Sequence, residues 1–337
     1  MMEVQQSGNG GGSQSTRDDE QGTGVCRMAC GAVFVIVVLV FFLGPRRGPS
    51  QHGLKWMSSS SLGRPMILSH GDCPCLPEPA NSMQWFRYAS SVGVDALELD
   101  LVLTKDDALI AFHDRVWDHK TNSTGLVRET TYAEVRDRID VSKGWPTYRG
   151  NGTRVVPPLL DDVLGNFSSS HLAFNMELKN DPADAALAAR VLCATLERHG
   201  VANRTLVASF DTESVEAVRA ECGSEVATSA SLSEGYGVLV PMILELDRWW
   251  FSPGPISVLN LPRTAAGFDL TTKRIINAAH AHGMPTIYFT INEKDQLDTL
   301  IANGADGIIT DEPLEARLAL QRAGLELPPT FVPSGGG

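Results

Sequence analysis

Glu98 and Asp100 stand two residues apart in the apolar run ALELDLVL, and Glu177 and Lys179 repeat that spacing in HLAFNMELK. In an extended strand, side chains at i and i+2 share a face. The first two carboxylates therefore point together, while Leu97, Leu99 and Leu101 point the other way. A carboxylate inside an apolar strand is costly to bury unless something compensates its charge. Three hard oxygen donors, Glu98, Asp100 and Glu177, with no cysteine beside them, would select one divalent cation, Mg²⁺ or Ca²⁺, over zinc.

Such a cluster needs a scaffold that brings separate strands to one face. From about residue 65 short apolar runs alternate with amphipathic segments. The strand candidates are RPMILSH, ALELDLVL, HLAFNMELK, TLVASF, EVATSASL, SVLNLP, PTIYFTIN and GIIT, with helical segments such as DPADAALAARVLCATLERHG and DTESVEAVRAEC between them. Eight strands with intervening helices predict an α/β fold of the (β/α)8 TIM-barrel type. An open doubly wound sheet is the competing architecture, but its Gly-rich dinucleotide fingerprint is absent. In a barrel the active face lies at the C-terminal ends of the strands. His70, the Glu98, Asp100 and Glu177 trio, Lys179, Ser209, Asn292 and Asp311 all fall there, which makes Lys179, Ser209 and Asn292 candidates for contacting a substrate. His119, His171, His280 and His282 fall elsewhere and are expected to be structural.

The remaining sequence sets the context of that domain. The 337 residues carry a net charge of −12, which argues against a nucleic-acid partner. Six cysteines without a CxxC pair indicate neither a disulfide scaffold nor a usual zinc site. Residues 1–27 read as a polar, disordered tail. Met28 to Gly44 carries no charge, and its length is close to the lower limit of about 17 residues for a spanning helix. A single transmembrane helix is the preferred reading over a cleaved signal peptide or a buried core helix. A linker over 45–64, a barrel over 65–324 and a flexible tail over 325–337 complete the expected organisation.

Two signals bear on orientation. Arg46, Arg47 and Lys55 follow the span while Arg17 and Arg27 precede it, a weak lean toward a cytoplasmic barrel. Four glycosylation sequons, at Asn122, Asn151, Asn166 and Asn203, all follow the span and favour a lumenal or extracellular domain. Cys26 and Cys30 are read as plain membrane-edge cysteines rather than palmitoylation sites.

Several ordered motifs then converge. ALELDLVLTKDDALIAFHD is a Glu-x-Asp strand followed by a hairpin ending in His113-Asp114. RVWDHKTNSTGLVRETTYAEVRD, VPPLLDDVL, NMELK, ASF, FTIN and GADGIITDEP follow in order. Together, from Pro65 to Leu320, they resemble the glycerophosphodiester phosphodiesterase family, a (β/α)8 barrel that hydrolyses glycerophosphodiesters with a divalent metal. The resemblance implies His70 and His113 as an acid/base pair, Glu98, Asp100 and Glu177 as metal ligands, and Lys179 as a phosphate contact. Those roles suit the chemistry. A phosphodiester gains negative charge toward its transition state, which a carboxylate-held cation can offset. Imidazoles, with pKa near ~6.5, can take one proton and give another.

The sequence also departs from the family pattern. His70-Gly71-Asp72 stands where His-Arg-Gly is usual, so a phosphate-gripping guanidinium is missing; restoring it as Gly71→Arg is expected to raise phosphate affinity if that loss is limiting. PEPANS places Ala80 at the position of a usual glutamate, although a small shift could bring Glu78 there. Sphingomyelinase D-type relatives also lack the arginine and resemble this chain in the His, Glu-x-Asp, His core. For Cys73 and Cys75 two readings stand side by side: pairing with each other or with Cys193 or Cys222 in an oxidising compartment, and free buried thiols. Residues 234–255 contain Trp249, Trp250 and Phe251 close together and read as an outer barrel helix, or as a lipid-facing lip that would favour lysophospholipids. A silent barrel serving as a binding module is the rival reading, and a glycosidase, which would leave the histidines unused, a third.

Overall fold

The computed structural model of the chain describes residues 62–74, 76–150, 152–247 and 254–333. Eight parallel strands form its frame: β1 (Met66–Ser69), β2 (Ala96–Leu103), β3 (Ala173–Leu178), β4 (Thr205–Ala208), β5 (Ala227–Thr228), β6 (Leu259–Pro262), β7 (Thr286–Phe289) and β8 (Gly307–Thr310). Each pairs in parallel with its sequence neighbour, and β1 pairs with β8, so the sheet curls from β5 round to β6. A parallel bridge between Ser229 and Val258 joins those two ends. The Ser257 amide donates to the Thr228 carbonyl at 2.9 Å across the same seam. The result is a TIM-barrel-like ring, and the open-sheet alternative falls.

Helices cover the outside as the apolar periodicity predicts. Ala185–His199 and Thr212–Cys222 match the two segments read from the sequence, the second capped by the Asp211 carboxylate accepting from the Ser214 amide. The strand expected over EVATSASL is confined to two residues, because Ser231 caps a helix that starts at Leu232. Leu97, Leu99 and Leu101 belong to the large outer core with Trp85, Phe86 and Leu164. The inward residues form a separate plug, including Met66, Leu68, Ala96, Ala173, Leu206 and Ile287. Small and branched side chains fill the barrel axis, leaving polar inward positions only above them.

Two polar clasps hold the strand N-termini. Arg64 donates to both oxygens of Asp95, at 2.7 and 2.8 Å. Asp306 accepts from the Thr286 amide at 2.8 Å and pairs with His280 Nε2 at 2.6 Å, which gives His280 the structural role expected of it. The hydrogen bond to Asp306 raises the His280 imidazole above its ordinary 6.5 despite partial burial. A raised folded pKa contributes stability that is fully present below the unfolded value and lost as pH rises through the folded one. The melting temperature should therefore decline as pH rises above 6.5, and His280→Gln should flatten that part of the profile; an identical profile in the variant would remove the assignment.

The C-terminal segment corrects one expectation. Residues 325–333 do not form a free tail: the Phe331 amide donates to the Ser90 carbonyl at 2.9 Å, and Phe331 packs on Phe167. Leu325, Leu327 and Phe331 lie against the outer core, an apolar spacing that the Pro-rich ending obscured. Among the described residues no helix is long and apolar enough to cross a membrane, and Met28 to Gly44 lies outside them.

Candidate active site

The adjacent strands β2 and β3 place Asp100 beside Glu177 and Glu98 beside Asn175 in register. One oxygen from each of Glu98, Asp100 and Glu177 lies within 4.8 Å of the others. Glu98 and Asp100 are buried, and Glu98 Oε2 accepts no hydrogen bond in the structure. Three converging carboxylates, with a buried oxygen left unpartnered, fit a divalent cation's demand for hard anionic donors.

The charges are partly balanced from within. Lys179 Nζ lies 2.7 Å from Glu177 Oε1 and 3.3 Å from Asp100 Oδ1. Burial works against ionised Asp100, but Lys179, His113, His70 and the Asn81 hydrogen bond outweigh it and hold this carboxyl below its usual range. Glu98 goes the other way: burial, then the charges of Asp100 and Glu177, push it well above the ordinary glutamate value. Burial also leads the upward shift at Glu177. Glu98 is thus the carboxyl that keeps a proton most readily until a cation replaces it.

Sequence reasoning missed Asn81. Its amide nitrogen donates to Asp100 Oδ2 at 2.8 Å, and its carbonyl accepts from the Asp100 amide at 2.9 Å. The next residue, Ser82, caps the helix Met83–Val92, so the helix start sets the position of the clamp. Glu78 is not one of the three clustered ligands. The signal available in sequence was the Asn-Ser pair before an amphipathic helix, which reads as a cap rather than as a carboxylate partner.

Both predicted histidines reach the same mouth. His70 Nδ1 lies 2.8 Å from Asp311 Oδ1, which also accepts from the Asp72 amide at 2.8 Å. Burial would lower the His70 pKa, but the hydrogen bond and charge of Asp311, with Asp100 and Asp72, raise it overall. His113 Nδ1 lies 2.6 Å from Asp114 Oδ1. One concavity is lined by His70, Glu98, Glu177 and Ser209; a neighbouring one is lined by His113, Glu177, Lys179 and Ser209. The two share Glu177, Ser209 and Phe210, so the metal-site candidates stand between the imidazoles.

The other two expected substrate contacts are already engaged. The Ser209 hydroxyl donates to the Leu178 carbonyl at 2.9 Å while lining both concavities. Asn292 donates to Asp311 Oδ2 at 2.7 Å and accepts from the Asp311 amide at 2.9 Å. Its amide therefore braces the carboxylate that holds His70. Asn175 and Asn260 also line the His70 cleft, each with a buried carbonyl oxygen lacking a hydrogen bond; their alternation with apolar neighbours could have placed both inward.

Residues 71–315 match the glycerophosphoryl diester phosphodiesterase family. The chain belongs to that family. It is 30% identical to a glycerophosphodiester phosphodiesterase of Bacillus altitudinis over 236 residues, covering 70% of this chain and 90% of that protein. A human lysophospholipase D is 23% identical, over 70% of this chain and 80% of its own. The solved structure of an Oleispira antarctica phosphodiesterase in complex with its product sn-glycerol-3-phosphate superposes with a TM-score of 0.61 at 22% identity, covering 78% of this chain and 99% of that one. That likeness supports the barrel fold, and the sequence resemblance to this enzyme family holds.

The family's missing arginine has a structural counterpart. Gly71 has φ +80°, and a Cβ there would lie 2.2 Å from the Trp85 indole. Trp85 fills the space from the outer core, so no side chain fits at 71 without displacing it. The expected gain from Gly71→Arg is therefore withdrawn. That substitution should instead cost roughly 2–4 kcal/mol, from overpacking and a left-handed backbone, read as a lower denaturation midpoint without tighter phosphate binding. A tighter-binding, equally stable variant would show that Trp85 yields.

Cys193 and Cys222 form a disulfide between the two neighbouring outer helices, with Cα atoms 5.3 Å apart. Cys73 is disulfide-bonded as well. Trp249, Trp250 and Phe251 lie outside the described residues.

Proposed function

We propose that this chain is a metal-dependent phosphodiesterase that cleaves glycerophosphodiesters or lysophospholipids by histidine acid/base catalysis. The observation carrying the reading is the carboxylate trio set between two carboxylate-held imidazoles in one mouth. Glu98, Asp100 and Glu177 would hold one divalent cation, Mg²⁺ or Ca²⁺, which when bound supplies positive charge to the phosphoryl oxygens. Because Nδ1 of each ring is bonded to a carboxylate, Nε2 is the atom left to exchange protons. One imidazole accepts the proton of the attacking hydroxyl, from water or from the substrate's own glycerol, and the other protonates the departing alkoxide. Lys179 is placed to meet a phosphate oxygen from beside the trio.

The same proposal includes the membrane. On this reading the uncharged run Met28 to Gly44 anchors the barrel as a single-pass protein, and the four sequons favour a barrel in the lumen or outside the cell. The Cys193 disulfide supports that compartment, because oxidising environments preserve such bonds. Phosphorus NMR of the full chain in maltoside, with Mg²⁺ or Ca²⁺ and glycerophosphocholine, glycerophosphoinositol or lysophosphatidylcholine, tests the activity. A phosphomonoester or cyclic phosphate signal that depends on the cation is expected. Unchanged substrates with folded, cation-loaded protein would move the reading to a binding module.

A further inference from the structure

The helix Leu232–Ile243 follows β5 at the mouth end of the barrel. Its inner side is conventional: Val238, Leu239 and Met242 are buried in the outer core, and its one acidic residue, Glu234, is paired with Arg219 at 2.6 Å. The outer side is not. Leu232, Tyr236 and Val240 recur every fourth residue, and Leu244 continues the row; they are 52%, 55%, 47% and 58% exposed. No charged side chain interrupts that row before Glu245, although the chain as a whole carries net −12. The row starts at the active-site mouth: the Leu232 amide donates to the carbonyl of Phe210, and Phe210, itself 56% exposed, lines both concavities.

We infer that this face is a lipid-docking surface, which lays the mouth against a zwitterionic phospholipid bilayer. Three observations favour a bilayer over a second copy of the chain. The apolar row is continuous with the mouth through Phe210, where a lipid-borne substrate would enter. An acidic domain gains nothing from anionic lipid, and the row presents hydroxyl and aliphatic groups of the kind that settle at a neutral interface. Finally, the uncharged run ends at Gly44 and the described barrel begins at Leu62. The intervening residues reach at most about 60 Å when extended, so the barrel stays close to the bilayer and even weak docking is effective at that local concentration. The inference rests on the anchored reading given under Proposed function.

The test uses the full chain in phosphatidylcholine nanodiscs, at one copy per disc, and compares it with Tyr236→Ser/Val240→Asp. Hydrogen exchange over 232–246 should be at least tenfold slower in the native chain, with the helix Lys273–Ala281 unchanged between the two. Turnover of lysophosphatidylcholine embedded in the disc should fall about tenfold in the variant, while turnover of soluble glycerophosphocholine stays equal. The soluble arm also reports whether the variant is folded. Equal exchange in both chains would overturn the inference. So would protection that appears only with two copies per disc, which would assign the face to self-association. A chain that fails to enter the discs would overturn both the anchor and the docking surface, whereas loss of turnover on every substrate by the native chain would instead overturn the enzymatic reading.

Discussion

Glu98→Gln is expected to reduce cation-dependent turnover by at least about 10³-fold while leaving the barrel intact. Glu98 is buried beside Asp100 and Glu177, and its carboxyl is held well above the ordinary value by burial and by their charges. The amide keeps the shape and removes one hard anionic donor, so cation affinity should collapse. Without cation the effect on stability reverses in sign: the buried Glu98 must take up a proton to become neutral, whereas the amide is neutral already, so the metal-free variant should melt at a higher temperature. In the native chain, cation binding must displace the Glu98 proton, so affinity should rise with pH through that group's elevated pKa. Calorimetric titration with Mg²⁺ and with Ca²⁺ at several pH values, alongside thermal melts, measures all three effects. Native-like turnover in Glu98→Gln would remove it from the ligand set.

His70→Ala should lower kcat by about 10²–10⁴-fold, the usual yield of a positioned proton-transfer group, with much less change in KM. The ring lies in the cleft with Glu98 and Glu177, and Asp311 fixes its Nδ1 side. Asp311→Asn offers a graded control, since an amide can hold the ring yet cannot stabilise its cation. Its loss should be smaller than that of His70→Ala, and the two together should cost little more than His70→Ala alone. Steady-state kinetics on glycerophosphocholine separates the terms. A loss confined to KM would make His70 a binding group, and additive losses would mean that Asp311 acts by some route other than the imidazole.

Much of this site is legible in the sequence because strand alternation is a rigid rule. Once ALELDLVL is a strand with leucines outward, Glu98 and Asp100 have no choice but to face the mouth, and MELK repeats the logic for Glu177 and Lys179. What escaped depends on loops and on contacts between distant segments. Asn81 clamps Asp100 from a turn whose residue has positive φ, and Asn292 supports Asp311 rather than standing free. Neither relation follows any periodicity. The glycine at 71 looked like a deletion of function, yet Trp85, fourteen positions downstream, occupies the space that a side chain there would need. Only packing relates those two residues. The C-terminal segment escaped for a similar reason, since one backbone hydrogen bond and a few apolar contacts dock a stretch that has no regular structure of its own.

The apolar plug beneath Glu98 has a consequence for traffic. Among the described residues Met66, Leu68, Leu206 and Ile287 fill the barrel axis, so the described cleft opens on one side, at the mouth. Whatever enters past Phe210 must leave past Phe210, and the polar fragment and the alcohol fragment of a cleaved diester have to depart in turn through the opening that admits the next substrate. Accumulating product would therefore compete for entry, and the pace of the cycle would depend on how quickly the doorway clears as well as on how quickly the bond breaks.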